Sequence, residues 1–271
     1  HANDLISNVP ATSGLDAETV LSHSLYPAFA QFLEEADRAH LRLSLFPGLI
    51  HGKIWRGERA PLRYCPKCAA ADLDHHRTVY WHAELQHRGV TACSTCESEL
   101  IDSPATIGIM QHLLYAPKWI NIAQTFIPAS ESEIQLAREL RWLFSQNNYQ
   151  PGGRRLAQTL KGVLISRPRY YMGPKNLRFP RVVADVKSRY PEVLLRKIGL
   201  SSVAHLRSAI SPNSPSVDFQ AYSVLAHVAG SSLQELFALA LHAERHPTVS
   251  TYLPPVTDES LVRAKSKILK L

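Results

Sequence analysis

The sequence predicts a mainly α protein with a small zinc-ribbon-like four-cysteine insertion and helix-turn-helix-like helical units. Three observations predict it. Apolar residues recur at helical spacing before and after residues 63–102. All four cysteines fall within 32 residues, as Cys65-Pro-Lys-Cys68 and Cys93-Ser-Thr-Cys96. Ala226, Gly230 and Leu236 stand at the spacing at which a small residue, a turn glycine and a core residue join two helices.

Taken in order, residues 1–62 read as an N-terminal helical segment. Asp16 can cap Ala17 to Ser24, and Pro27 suits the first turn of a second helix. Phe29, Phe32, Leu33 and Ala36 then form one apolar stripe, which Pro47-Gly48 ends. Residues 63–102 hold the cysteines. Residues 103–150 form a helical connector, in which Ser130 and Glu133 make a capping box for a helix carrying Ile134, Ala137, Leu140, Leu143 and Phe144. Asn147-Asn148 closes that helix, and Pro151-Gly152-Gly153 reads as a linker.

Residues 151–210 are expected to be a basic, helix-turn-helix-like domain. Its helices span Leu156 to Leu164 and Val182 to Tyr190, around a Pro/Gly-broken loop, and Pro191 starts a third that ends at Gly199. After Ser211-Pro-Asn-Ser-Pro215, residues 211–271 form a C-terminal helical hairpin. Ser232 and Glu235 box the start of its second helix. That second helix, Leu-Gln-Glu-Leu-Phe-Ala-Leu-Ala-Leu-His, has no Arg or Lys before Arg245, so it favours a packed hairpin or partner surface over DNA contact.

A C-x2-C pair puts two thiolates on one tight turn, and two such turns complete a tetrahedral all-sulfur site. Cys65, Cys68, Cys93 and Cys96 are therefore the expected ligands of one structural Zn2+. Two disulfides, or a redox-active C-x-x-C, are the competing readings. His75, His76, His82 and His87 lie between the pairs and could each replace a cysteine. Four thiolates leave no open coordination position, so such a metal would not be catalytic. The clamped run Val79-Tyr80-Trp81-His82 reads as a short strand or a buried anchor.

The 271 residues carry 30 Lys+Arg against 23 Asp+Glu, a net +7. Between Arg154 and Lys197 there are twelve basic residues and two acidic ones, or +10; the remaining 18 basic and 21 acidic residues give −3. Aromatic residues interleave with this charge. Arg154, Arg155, Lys161, Arg167, Arg169, Tyr170, Lys175, Arg178, Arg181, Lys187 and Arg189 are thus the candidate DNA-binding residues, the cations for phosphates and the ring for stacking. No apolar run is long enough to span a bilayer, and no membrane partner is expected. No Walker A loop, G-x-G-x-x-G, G-x-S-x-G or H-E-x-x-H occurs, which points to a binding protein and not an enzyme.

Arg63-Tyr-Cys-Pro-Lys-Cys68, Asp72, Tyr80-Trp81, Gly89-Val90, Cys93-x-x-Cys96 and Leu100 together resemble the zinc-finger signature of the TniQ/TnsD family of transposon target-selection proteins. Ser22-His-Ser-Leu-Tyr-Pro-Ala-Phe-Ala-Gln-Phe32 is similar to the stretch that precedes that finger, and Tyr190-Pro-Glu-Val-Leu-Leu-Arg-Lys-Ile-Gly199 to a later part. The last ligand, commonly His in the family, is Cys96 here, and Leu85-Gln-His-Arg-Gly89 stands where the family has His-Gln-Leu-Pro-Gly. The chain starts at His1, as an N-terminally truncated member would. The resemblance implies a bacterial, cytoplasmic, nucleoid-associated protein that binds double-stranded DNA at a chosen target site. It implies recruitment of the transposon AAA+ ATPase, which brings the transposase. The alternative it implies is an adaptor that docks a CRISPR effector complex and has little DNA specificity of its own.

Overall fold

The structure is a computed structural model. It describes residues 30–39, 61–87, 89–106, 116–146, 151–173, 176–213 and 218–245, with Thr19 and Pro27. The expected first helix from Ala17 to Ser24 lies almost wholly outside these residues, and so does the Asn147-Asn148 stop. The chain divides into two compact units. One comprises residues 1–150 with 197–199, and the other residues 151–196 and 200–271.

In the first unit, residues 31–33 form a turn and residues 35–39 a helix. The expected continuous stripe is therefore broken: Phe32 is buried, while Ala36 is exposed. Strand β1 (Pro61–Tyr64) pairs antiparallel with β2 (Ile101–Thr106), Tyr64 opposite Ile101. The cysteine segment hangs between these two strands. Helix α1 (Pro66–His76) starts on the first cysteine pair, with Pro66 in its first turn, where a missing N–H costs nothing. It ends at Arg77 in the left-handed region (φ +59°), a place glycine more often fills.

Val79 to His82 make no strand. Val79 is buried with Tyr64, Ala69, Ala116 and Ile120, and Trp81 packs against that cluster, so the anchor reading holds for these two residues. Tyr80 points outward. Helix α2 (Glu131–Ser145) carries the expected capping box, both halves formed. It buries Ile134, Leu136, Ala137, Leu140 and Leu143.

The second unit begins at the Pro151-Gly152-Gly153 break, whose residues are buried and not a free linker. Gly152, at φ +77°, caps helix α3 (Gly153–Ile165). A two-stranded hairpin follows, β3 (Tyr171–Gly173) with β4 (Asn176–Leu177), where the sequence suggested only a broken loop. Helices α4 (Phe179–Arg189), α5 (Glu192–Lys197) and α6 (Val203–Ser208) come next. Then α7 (Phe219–Val228) and α8 (Leu233–Arg245) meet at 95° across Gly230 (φ +71°). That angle is within the range of a helix-turn-helix. Ser232 and Glu235 exchange backbone bonds of 3.1 Å each way, as their spacing suggested.

All ten residues of α7 are buried. It packs on α3, α4, α6 and α8 and is the axis of the unit. The expected separation of residues 151–210 from 211–271 is thus not seen, because one compact unit runs across that position. The reason is composition: Phe-Gln-Ala-Tyr-Ser-Val-Leu-Ala-His-Val has no charged side chain with which to face water, unlike an ordinary amphipathic helix. No single helix among the described residues is long and apolar enough to cross a membrane.

Candidate functional site

The four cysteine sulfurs lie within 4.8 Å of one another. Cys68 Sγ is 3.5 Å from Cys93 Sγ and 3.6 Å from Cys96 Sγ. A disulfide needs about 2.05 Å, so these are free thiols and not bridges. Tetrahedral sulfurs about 2.3 Å from one zinc ion would stand roughly 3.8 Å apart, which these separations fit. The geometry shows a metal-compatible cluster of four sulfurs, a donor set that suits zinc or iron.

Local structure explains the convergence. Cys65 is the N-cap of α1 and Cys68 lies in its first turn, where unpaired N–H groups and the helix dipole favour thiolates. The second pair sits on a tight turn. Cys93 N–H donates to the Ser98 carbonyl at 2.8 Å, Glu97 N–H to the Cys93 carbonyl at 2.9 Å, and Cys96 N–H to Cys93 Sγ at 3.4 Å. Glu97, at φ +56°, closes the turn.

Hydrogen bonds from Cys68 and Cys93 hold the Cys65 thiol well below its ordinary value, and the same contacts hold the Cys68 proton on. Burial, aided by the neighbouring thiolates, pushes Cys96 up to about 12. Four sulfurs this close cannot all be anionic without a cation among them.

The surroundings fix both turns. Arg63 donates to the carbonyls of His87 (2.6 Å) and Val90. The Gln86 side chain bonds the Arg63 backbone twice, at 2.9 and 2.8 Å, as a neighbouring strand would. From α2, Arg138 reaches Glu97 at 2.5 Å and Arg141 reaches Thr95. Thr91 and Ser130 donate to Glu133, which is buried. Burial alone would raise the Glu133 carboxyl, but these bonds outweigh it and hold it below the usual carboxylate range. None of the intervening histidines joins the sulfurs. His82 Nε2 binds Asp72 at 2.9 Å and its ring stacks on Tyr80. His87 Nδ1 accepts from Gly89 N–H, His75 bonds the Ala71 carbonyl, and His76 meets the edge of Tyr80.

The candidate DNA-binding residues differ in how the fold uses them. Several are occupied by the fold. Tyr170 is fully buried, donates to Asp185 at 2.7 Å, and its phenol is pushed up to about 12 by burial and by that carboxylate. It offers no ring face to a base, contrary to its expected stacking role. Arg169 donates to the Val228 carbonyl (2.9 Å), lies over the Tyr170 ring, and stands 3.4 Å from Asp185. Arg189 donates to the His227 carbonyl at 2.9 Å. Arg167 lies against Gly230, whose added Cβ would come within 3.4 Å of its guanidinium. These arginines crowd the last carbonyls of α7, which carry the negative end of its dipole.

Arg169 and Arg189 remain exposed despite these bonds, and other candidates face outward too. Arg154, Arg178, Arg181 and Lys187 are exposed, and Arg155 and Lys161 are half-buried on α3. Lys175 lies outside the described residues. Tyr171 and Met172, beside Tyr170 on the hairpin, are exposed at 40% and 60%. Tyr171 is one of the aromatics interleaved with the basic residues, with Tyr170 and Phe179, but only Tyr170 stood among the candidate DNA-binding residues; Met172 carried no signal in the sequence. Sequence reasoning also passed over Ser98, whose hydroxyl touches Cys65 Sγ at 3.3 Å.

No protein-family model matches the chain, and no curated protein is similar to it.

Proposed function

We propose that this is a zinc-stabilised DNA-binding protein of transposon target selection. In this reading it binds duplex DNA at an insertion site and brings in an AAA+ ATPase and, through it, the transposase. The observation that carries the DNA-binding part is the segregation of charge. A net +10 falls on residues 154–197, and Arg178, Arg181 and Lys187 remain exposed after the fold has used Arg169 and Arg189. The transposition part rests on the resemblance of residues 63–100 to the TniQ/TnsD finger. The four-thiolate cluster serves as a scaffold in this reading, because a closed sulfur site has no position for a substrate.

Fluorescence anisotropy of the full chain on labelled duplex, over a salt series, tests it. Log affinity should fall linearly with log salt, by about 0.9 for each phosphate neutralised. Absence of binding, or binding indifferent to salt, overturns the reading.

A second reading is an adaptor that docks a CRISPR effector complex or the ATPase and reads no sequence. The outer face of α8 favours it, since Gln234 is exposed there and the helix carries no Lys or Arg before Arg245. Equal affinity for random and attachment-site duplex would select this reading.

A further inference from the structure

We infer that α4, and not the α7–α8 pair, is the helix that faces duplex DNA, with the β3–β4 hairpin beside it. The inference rests on the DNA-binding reading above and assigns it a surface.

Helix α4 is two-faced. Phe179, Val182, Val183 and Val186 are buried on one side. At 3.6 residues per turn, Arg181, Ala184 and Ser188 fall on the opposite side and Lys187 on its flank, and all four are exposed. Arg178 extends this row at the N-cap. The middle of the strip is small, which lets a helix axis approach a groove closely. Its ends carry cations, which can meet phosphates on either side.

The one acidic residue of α4 does not spoil the field. Asp185 accepts from Tyr170 at 2.7 Å and lies 3.4 Å from Arg169 and 3.8 Å from Arg181. Its charge is met by two guanidinium groups, so the exposed strip remains positive. A polyanion complements such a strip, and the exposed ring of Tyr171 beside it suits a nucleic acid better than an acidic peptide.

The hairpin is fixed to the start of this helix. Arg178 N–H donates to the Tyr170 carbonyl at 2.8 Å, and Tyr170 is itself buried. The hairpin therefore holds Tyr171 and Met172 outward next to the first turn of α4. Exposed apolar side chains flanked by cations suit contact with sugars or with an opened base step.

Helix α8 fails the same test. A recognition helix contacts bases through its N-terminal residues. Here those residues are Leu233, which is buried, Gln234, and Glu235, whose carboxylate accepts from Ser231 and from the Ser232 backbone. Leu236, Phe237 and Ala240 are buried against the rest of the unit.

The test compares full-length, zinc-loaded Arg181→Glu/Lys187→Glu with Gln234→Glu/His242→Glu, by anisotropy on random-sequence duplex at about 100 mM salt. Thermal melting and zinc content of each variant establish that it is folded. Because Arg181 approaches Asp185, the milder Arg181→Gln/Lys187→Gln replaces the first variant if reversal unfolds it. The expected result is an affinity loss of about 30-fold and a salt slope flatter by roughly 2 for the α4 reversal. The milder pair should give the same flattening, and the α8 variant should stay within about twofold of wild type. Loss in the α8 variant alone, or equal loss in both, overturns the assignment of α4 and leaves DNA binding standing. If the unaltered protein binds no duplex, the DNA-binding reading fails, and this inference with it.

Discussion

The two compact units solve the problem of small cores in different ways. The first holds four sulfurs among small apolar clusters, Tyr64, Ala69, Val79, Ala116 and Ile120 in one and Leu85 with the cysteines in another, and buries one face of α2. The second has a continuous apolar centre. Leu156, Leu160, Leu164, Val182, Val186, Tyr222, Leu225, Leu233 and Phe237 are all fully buried there. The lesson concerns charge. In the first unit, the half-buried Arg63 and the buried Glu133 tie loops to the sulfur site. In the second, Arg169 and Arg189 cap one helix end, and the surplus cations remain on the surface. A basic residue in this chain is thus as much a fastener as a ligand for phosphate.

Metal removal should separate the units most strongly. Chelation, or Cys68→Ser, is expected to unfold residues 61–106, because the free energy of a structural thiolate site is folding free energy, of order 10 kcal/mol. Amide exchange should then rise across α1 and the two cysteine turns while α7 stays protected. Metal analysis should find one zinc per chain. Loss of protection in α7 to the same degree would erase the contrast.

A smaller effect should come from Tyr170→Phe in the second unit. It deletes the 2.7 Å bond to Asp185 while leaving the ring in place. Urea titration should show a loss of about 1.5–3 kcal/mol, as for a buried bond to a charged group. A change below about 0.3 kcal/mol would show that the arginines alone hold Asp185.

The smallest should be Glu133→Gln, and it is pH-dependent. The native carboxyl lies below its ordinary value of about 4.3, so its contribution is present above that pH and is lost as pH falls through the lower native value. Wild-type and variant stabilities should differ by about 1 kcal/mol near pH 7 and converge in acid. A constant difference across that range would mean that the capping hydroxyl, not the carboxylate, carries the effect.

Features set by neighbours in sequence were legible. The two capping boxes, the convergence of the cysteines and the Gly230 turn each depend on residues within a few positions, or on a spacing with one chemical use. Features set by distant partners were not. Nothing near Tyr170 reveals that Asp185 and Val228 await its hydroxyl, so it read as a stacking residue. The pairing of β1 with β2 depends on strands almost forty residues apart. The β3–β4 hairpin did carry a local signal, Gly173 before Asn176, but it was masked by the prolines around it. The break at residues 31–33 shows the limit of periodicity: a stripe can be drawn through residues that the backbone does not keep helical.

The arginines and the tyrosine that fasten onto the end of α7 also set an order of events during synthesis. Tyr170 and Val228 are 58 residues apart. At 5–20 residues per second, a ribosome needs roughly 3–12 s to cover that distance. Over the last 39 of those residues, roughly 2–8 s, α4 has been made but has no α7 to cover Val182, Val183 and Val186. The nascent chain thus carries an uncovered apolar strip for seconds, long enough for a chaperone to bind, and the unit closes only once its most hydrophobic helix emerges.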